Sequence, residues 1–595
     1  MRFLPRSFRD IDVGALRDAV RIFRPALRGQ RWAVAGSFVL TLLVVGLELL
    51  RPWPIKIVFD HVFGVRASTA GMWGMSPATV LTLAALAVLL ISVLLAFFTL
   101  RATLSTGRVA KKMTVRIRRQ VFEHLHRLAL PFHQSSRSGD LLVRLMGDVN
   151  AVRDALFTSW LTLVGRGILF VGTATIMFVL EPWLALLALA PLPLLAFDVG
   201  RSSRRLREIT RQQRRREGDA ASFAAETLRQ IRLVKAYAAE DAATDTFTRG
   251  SRSGERAGLK ATRIAARIDG LTEILTGAGT AIVLFVGAHW VLAGRISAGS
   301  LLVLVSYTRS LYKPLRKASG EGARLSKASA CAGRLLEVLR IPPEDQTSGD
   351  PAPEFRGDIA LRDVHHTYAN GVRALRGATC DLAAGTLALI EGPNGSGKST
   401  LLSMLLRLID PESGEVLIDG VPVSTYQLAS YRRRFAYIPQ DLQLFGATVR
   451  DNILYGRPDA TDEEVEAAAR VARFDEVAAR LPDGYDTPLG EGGATLSGGE
   501  ARRLMLSRAA VREARVLILD EPLAGLDPQS RAVVAQAIRG IAAGRTTIVV
   551  SHGMSAEIGP DVVLHMRDGA FAAVEPALRA VAAVEPVLRP VEWGA

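Results

Sequence analysis

The sequence predicts a two-part membrane protein: an all-α domain of six spanning helices with long cytoplasmic extensions, then an α/β domain built round a phosphate loop. Three observations predict it. Long, mostly apolar runs of bilayer length are confined to about the first 320 residues. Lysine and arginine crowd into alternate segments between those runs. Further on, "TLALIEGPNGSGKSTLLSMLLRLID" has the order strand, glycine loop, helix. A chain of 595 residues exceeds one soluble core, and its positive mean hydropathy of +0.21 comes from the first half.

The N-terminal segment, residues 1–30, is basic and lacks an apolar core with a cleavage site, so it is expected to be cytoplasmic and not a signal peptide. Spans are expected at about 32–50, 78–100, 156–180, 183–200, 272–294 and 296–316. The third and fourth are separated only by the turn at Glu181-Pro182. The sixth is charge-free only as far as Thr308. "RPWPIKIVFD" (51–60) carries two prolines that should kink or end the first span.

Charge placement orients these helices. Residues 101–154 hold 11 Lys and Arg and residues 201–270 hold 17, against three in 51–77. The two basic segments and both termini therefore face the cytoplasm, which requires an even number of spans. The net charge of +16 is thus membrane topology, and no nucleic-acid partner is expected. Both basic segments have helical periodicity and continue the membrane helices outward. Each is interrupted, at 131–150 and at 221–240, by either a short transverse helix or a solvated loop. Glu48, Arg166, Glu273, His289, Arg309 and Lys313 fall in or near spans. Such charges hint at a substrate path, although Arg166 and Arg309 could reach the interface by snorkelling. Cys331 and Cys380 lack metal-ligand spacing and suit reduced thiols.

The membrane domain is expected over 31–325, a linker over 326–355, rich in Pro, Asp and Ser over 341–355, and the α/β domain over 356–572. In it, Gly392, Gly397, Lys398 and Ser399 complete the phosphate-loop pattern of a P-loop NTPase. Its backbone N–H groups would surround the β-phosphate, Lys398 would reach the β/γ oxygens, and Ser399 would offer its hydroxyl to Mg²⁺. The apolar strand in "ARVLILDEP" ends in Asp520, placed for the Mg²⁺ shell, and Glu521, placed to polarise an attacking water. An acidic pair capping a turn is the alternative. "TTIVVSHG" is a further buried strand ending at His552, which could orient that water or simply belong to the core.

Together these residues resemble the ATP-binding cassette (ABC) transporter family, over nearly the whole chain, in its half-size exporter form. Tyr368 matches the adenine-stacking aromatic. "GPNGSGKST" matches Walker A, which carries ATP-binding roles to Gly392, Asn394, Gly395, Ser396, Gly397, Lys398, Ser399 and Thr400. Gln440 matches the Q-loop, an ATP and Mg²⁺ contact. "LSGGE" (496–500) matches the signature, "VLILDE" Walker B, Asp527 the D-loop and His552 the switch histidine. The resemblance implies that Glu521 and His552 are catalytic, and that Ser399, Gln440 and Asp520 hold Mg²⁺. It also implies that Ser497, Gly498 and Gly499 close on ATP held by a second half-transporter, in a homodimer or a heterodimer. The breaks at 131–150 and 221–240 look like that family's coupling segments.

The resemblance implies an ATP-hydrolysing translocase that exports or flips an amphipathic substrate, be it lipid, drug-like molecule or peptide. An importer on the same fold, or an ATP-dependent membrane sensor, is the alternative. The Ala- and Arg-rich composition suggests a bacterial inner membrane. Departures are Glu500 where the family has Gln, "EGGAT" ahead of the signature where it has Glu-Arg-Gly, and a repetitive tail, "VEPALRAV" then "VEPVLRPV", over 573–595.

Overall fold

A computed structural model describes residues 13–62, 76–136, 138–490, 493, 495–551 and 555–576. The chain forms two compact units, Met1–Leu128 with Ser136–Pro342, and Ala129–Ser135 with Pro343–Ala595.

The first unit is helical. Among the described residues five runs are long and apolar enough to cross a bilayer: Arg31–His61, Pro77–His126, Ser138–Leu180, Pro182–Ser202 and Glu240–Leu292. The expected sixth span lies in the helix Ala298–Leu339, where Arg309 and Lys313 cut the apolar stretch short of bilayer length. The run Pro77–His126 has 50 residues. At 1.5 Å per residue it is about 75 Å long, far more than the bilayer core needs. The helix ends follow local chemistry. Arg51 and Pro52 end the helix Arg31–Leu50, and Trp53–His61 restarts beyond them. The Oγ atoms of Ser76 and Ser297 accept from the N–H groups of Thr79 and Ser300, capping the helices that follow. Glu181 is extended, and Pro182 opens the next helix.

The two interruptions are short helices, Leu130–Ser135 and Ile231–Ala236, narrower than the sequence suggests because helix resumes at Ser138 and Glu240. The run Ser138–Leu180 contains two wide turns, Arg144–Asp148 and Asp154–Ser159, of π-helical form. Buried Asp148 in the first accepts two hydrogen bonds from Arg334 of Ala298–Leu339, at 2.9 and 2.6 Å.

In the second unit a four-stranded antiparallel sheet has the order β2-β1-β4-β5, and a six-stranded sheet has the order β10-β9-β3-β8-β7-β6. The strands are β1 Ile359–Thr367, β2 Arg373–Leu382, β3 Leu387–Glu391, β4 Ser413–Ile418, β5 Val421–Pro422, β6 Phe435–Ile438, β7 Val516–Asp520, β8 Thr546–Ser551, β9 Val562–Arg567 and β10 Ala570–Pro576. β9, β3, β8, β7 and β6 are parallel. Every residue of β7 and β8 is buried, which explains their unbroken apolar runs.

Two boundaries differ from expectation. Helix continues to Leu339, so the non-helical link begins only where Pro342 and Pro343 forbid it, not at 326. β10 carries regular structure to Pro576, past the expected limit of 572, because it pairs antiparallel with β9. The rest of the repetitive tail lies outside the described residues.

Small residues let the membrane helices approach closely. A Cβ on Gly279 would lie 2.5 Å from the Tyr312 hydroxyl. Gly279→Val is therefore expected to destabilise the membrane unit by roughly 1–3 kcal/mol. Thermal unfolding of the detergent-solubilised protein should show a lower midpoint; an unchanged midpoint would refute this packing.

Candidate nucleotide site

The site is built on the carboxyl ends of β3 and β7, with β8 between them, where parallel sheets bind ligands. After β3 the chain turns through 392–397 into the helix Lys398–Leu405. Two glycines are sterically required. A Cβ on Gly392 would strike the Met566 carbonyl, and Gly397 has φ +103° with its α-carbon facing the Ala374 carbonyl. No side chain caps the helix, so its first N–H groups stay available to an anion. Lys398 is buried, and its Nζ donates to the carbonyls of Gly392 and Pro393, both at 2.8 Å. Burial lowers its pKa, opposed by the charges of Glu521 and Asp520. The Ser396 hydroxyl is buried with no protein partner, a polar atom left over inside the loop. The residues present fit a bound phosphate.

Asp520 ends β7 and is buried. Glu521 follows at φ +47°, a left-handed conformation uncommon outside glycine. Its N–H donates to Val550 of β8 at 3.0 Å, and its carboxylate accepts from Gln440 Nε2 at 2.9 Å. The predicted Q-loop and Walker B residues are thus brought together. Ser399 and Thr400 lie in the first turn of the phosphate-loop helix, Ser399 exposed and Thr400 buried. Asn394 and Gly395 are exposed on the loop. The Tyr368 hydroxyl lies 3.0 Å from the Thr400 Oγ1, and its ring meets His366 edge-on at 4.9 Å. Tyr368 lines a cavity of about 750 Å³ with Asn370, Arg407 and Asp410, and with Pro131 and Gln134 of the short helix Leu130–Ser135. His552 lies outside the described residues.

The signature opens the helix Gly498–Ala510. Ser497 Oγ donates to Glu500 at 2.8 Å, the Ser497 N–H donates to the same carboxylate at 2.9 Å, and the Glu500 N–H returns to Ser497 at 3.4 Å. This reciprocal cap is a role Glu fills as well as Gln. Burial raises the Glu500 pKa, but the Ser497 hydrogen bonds and the charges of Arg480 and Arg503 outweigh it and hold the carboxyl below its ordinary range. Arg480 lies 3.2 Å from the Glu500 carboxylate and pairs with it. Gly499 packs against Ser530, whose Oγ would be 2.8 Å from an added Cβ. Ser497 and Gly498 are exposed. Asp527 caps the helix Pro528–Ala542, accepting from the N–H groups of Gln529 and Ser530 at 3.0 Å.

Residues 34–315 match the family model described as ABC transporter transmembrane region, and residues 375–524 match that of the ABC transporter. The uncharacterized ABC transporter ATP-binding protein YfiC of Bacillus subtilis is 30% identical over 90% of this chain and 88% of its own. This chain belongs to the ABC transporter family. An ATP-dependent lipid A-core flippase of Chromobacterium violaceum is 31% identical over 78% of this chain and 79% of its own. A bacterial Atm1-family ABC exporter solved with ATP bound superposes with a TM-score of 0.78 at 25% identity, over 92% of this chain and 95% of that one. The chain is thus a multi-pass ABC transporter half that binds and hydrolyses ATP, works as a dimer and moves a substrate.

Motif reading missed Arg502. It is buried on the signature helix, and its Nη1 donates to the carbonyls of Pro439 and Gln440 at 3.1 and 2.9 Å. An arginine on the apolar side of a helix was the available signal. Arg502→Met should leave those carbonyls unpaired, a loss of roughly 1–3 kcal/mol. The expected outcome is an ATPase kcat about tenfold lower with ATP binding retained, measured by phosphate release and nucleotide titration. An unchanged kcat would show that Arg502 does not position Gln440.

Proposed function

We propose that the protein is a homodimeric exporter or flippase of an amphipathic substrate, seated in a bacterial inner membrane with both termini and the cassette in the cytoplasm. The observation that carries this is the cassette's two anion-binding helix starts. One is the uncapped cradle around Lys398 with the unpartnered Ser396 hydroxyl; the other is the exposed signature at Ser497 and Gly498. A second copy supplies the signature for each cradle. Tyr368 stacks on adenine, and Asn394, Gly395 and Thr400 complete the loop around the phosphates. Ser399, Gln440 and Asp520 would hold Mg²⁺, which would supply positive charge against the charge developing on the phosphates. Glu521, aimed by Gln440, orients the water together with His552. Asp527 shapes the seam between the cassettes.

ATP binding favours the closed pair because its contacts to both cassettes exist only there. Closure moves the short helices Leu130–Ser135 and Ile231–Ala236. The second carries exposed Ile231 and Leu233, flanked by exposed Leu228 and Tyr237, an apolar tip suited to docking on the second copy's cassette. Relatives that are flippases and exporters support the direction of movement.

Glu521→Gln should still bind ATP and accumulate a closed dimer, while ATPase activity falls about 100-fold or more. Chromatography with ATP and a phosphate-release assay read both effects, and near-normal turnover would remove Glu521 from the mechanism. Glu500→Gln keeps the helix cap but removes a negative charge beside the partner's triphosphate. Its half-saturating ATP concentration should fall roughly three- to tenfold, and a rise would show that the carboxylate helps closure. Transport itself is tested with inverted vesicles, in which ATP should drive accumulation of substrate inside; uptake only into right-side-out vesicles would indicate an importer.

A further inference from the structure

The helices Glu240–Leu292 and Ala298–Leu339 form a hairpin whose register is fixed by two contacts, Gly279 against Tyr312 and Gly287 against Leu301. Beside that seam lies a cavity of about 540 Å³ lined by Thr272, Glu273, Thr276, Thr280, Arg309 and Tyr312, with Leu284 and Ala281 completing an apolar margin. Glu273 and Arg309 are both exposed to it, and among the described residues neither has a hydrogen-bond or ion-pair partner.

Their separation explains why they do not pair. Glu273 lies six residues before Gly279 and Arg309 three residues before Tyr312. In antiparallel helices these offsets add, so the two α-carbons stand about 13 Å apart along the axis by the Gly279 contact and about 9 Å by the Gly287 contact. Each side chain also leans toward its own helix N-terminus, which moves the charged ends further apart. Two opposite charges are therefore held open at the two ends of one cavity, in a membrane helix pair where a lone charge is costly.

Thr272 and Thr276, each within about one turn of Glu273, give that end a definite polarity, while Thr280 lies toward Arg309. Thr272, Thr276 and Thr280 each donate back to their own helix, to the carbonyls of Ile268, Thr272 and Thr276, all at 2.7 Å. Their protons are committed, and only oxygen lone pairs remain for the cavity. A carboxylate flanked by acceptor-only hydroxyls suits an ammonium group. A guanidinium with unpaired N–H groups suits a carboxylate or phosphate.

We propose that this cavity binds a zwitterionic amphiphile whose amine and acidic groups are well separated, the amine at Glu273 and the acid at Arg309. The proposal deepens the transport reading and rests on it for the site's role. The cavity could as well be filled by water, in which case matched ligands will not distinguish the two charges.

The test is equilibrium binding of three radiolabelled probes to the nucleotide-free full-length dimer in nanodiscs: ω-aminododecanoic acid, dodecanoic acid and dodecylamine. The wild type should bind the bifunctional probe about tenfold more tightly than either singly charged one. Glu273→Gln should erase its advantage over dodecanoic acid, and Arg309→Gln its advantage over dodecylamine. A Cβ on Gly277 meets nothing within 4 Å, so Gly277→Leu fills the cavity without a clash and should weaken all three probes. Equal affinity of the three probes for the wild type, or Glu273→Gln and Arg309→Gln variants that shift all three alike, or Gly277→Leu binding all three unchanged, would overturn the proposal. Binding is read without ATP, so failure of vectorial transport would sink the transport reading while leaving this result intact.

Discussion

A nucleoside triphosphate carries its negative charge on every side, and one parallel sheet offers donors on only one. That limitation organises this protein. β3 delivers the chain to a helix start whose N–H groups are uncapped, and the only cation folded into the loop, Lys398, is satisfied by the loop's own carbonyls at Gly392 and Pro393 until an anion arrives. The other half of the proposed enclosure, the signature at Ser497, stands on a different helix and is exposed in the same chain. In the proposed cycle, closing the site and pairing two chains are the same event, and that event reports the nucleotide state to the membrane.

Unsatisfied groups organise the membrane unit as well. In the membrane helices several hydroxyls are absorbed by their own helix: Thr41, Thr272, Thr276, Thr280 and Thr308 all donate to the carbonyl four residues earlier. What remains open is informative. Half-buried Arg166 has a buried Nη1 without a partner among the described residues, and Glu273 and Arg309 share a cavity without meeting. The tight seam at Gly279 and the open cavity beside it arise from one sequence rule, since glycine on one face admits Tyr312 and Gly277 on the adjoining face leaves space.

Most of the nucleotide site was legible because its chemistry is local in sequence. The phosphate loop, β7 and β8 are each specified within ten residues, and buried parallel strands need apolar runs that polar segments cannot imitate. Boundaries were less legible. The linker was expected from 326, yet the amphipathic stretch before the Pro-, Asp- and Ser-rich residues 341–355 stays helical to Leu339, just short of Pro342. The sixth membrane helix was the weakest on paper for the same reason: Arg309 and Lys313 break its apolar pattern, but not its helix. Arg502 was legible only as an arginine on the apolar side of its helix, without its partners. Its partners, the carbonyls of Pro439 and Gln440, lie more than sixty residues away, and a backbone acceptor leaves no mark on a sequence.

Glu521 shows how scaffold and site are joined. A left-handed backbone at a non-glycine residue costs of order 1–2 kcal/mol. It persists because β7 and β8, buried along their whole length, fix the backbone on both sides, and because the Glu521 N–H is held by Val550. The conformation breaks the strand's alternation after Asp520, and Glu521 reaches Gln440 while Asp520 stays buried. A relaxed, extended Glu521 would continue that alternation and face away from its neighbour. The local penalty therefore keeps both carboxylates at the nucleotide end of the sheet, where both charges act on Lys398, and in the proposed cycle one serves a metal while the other serves water.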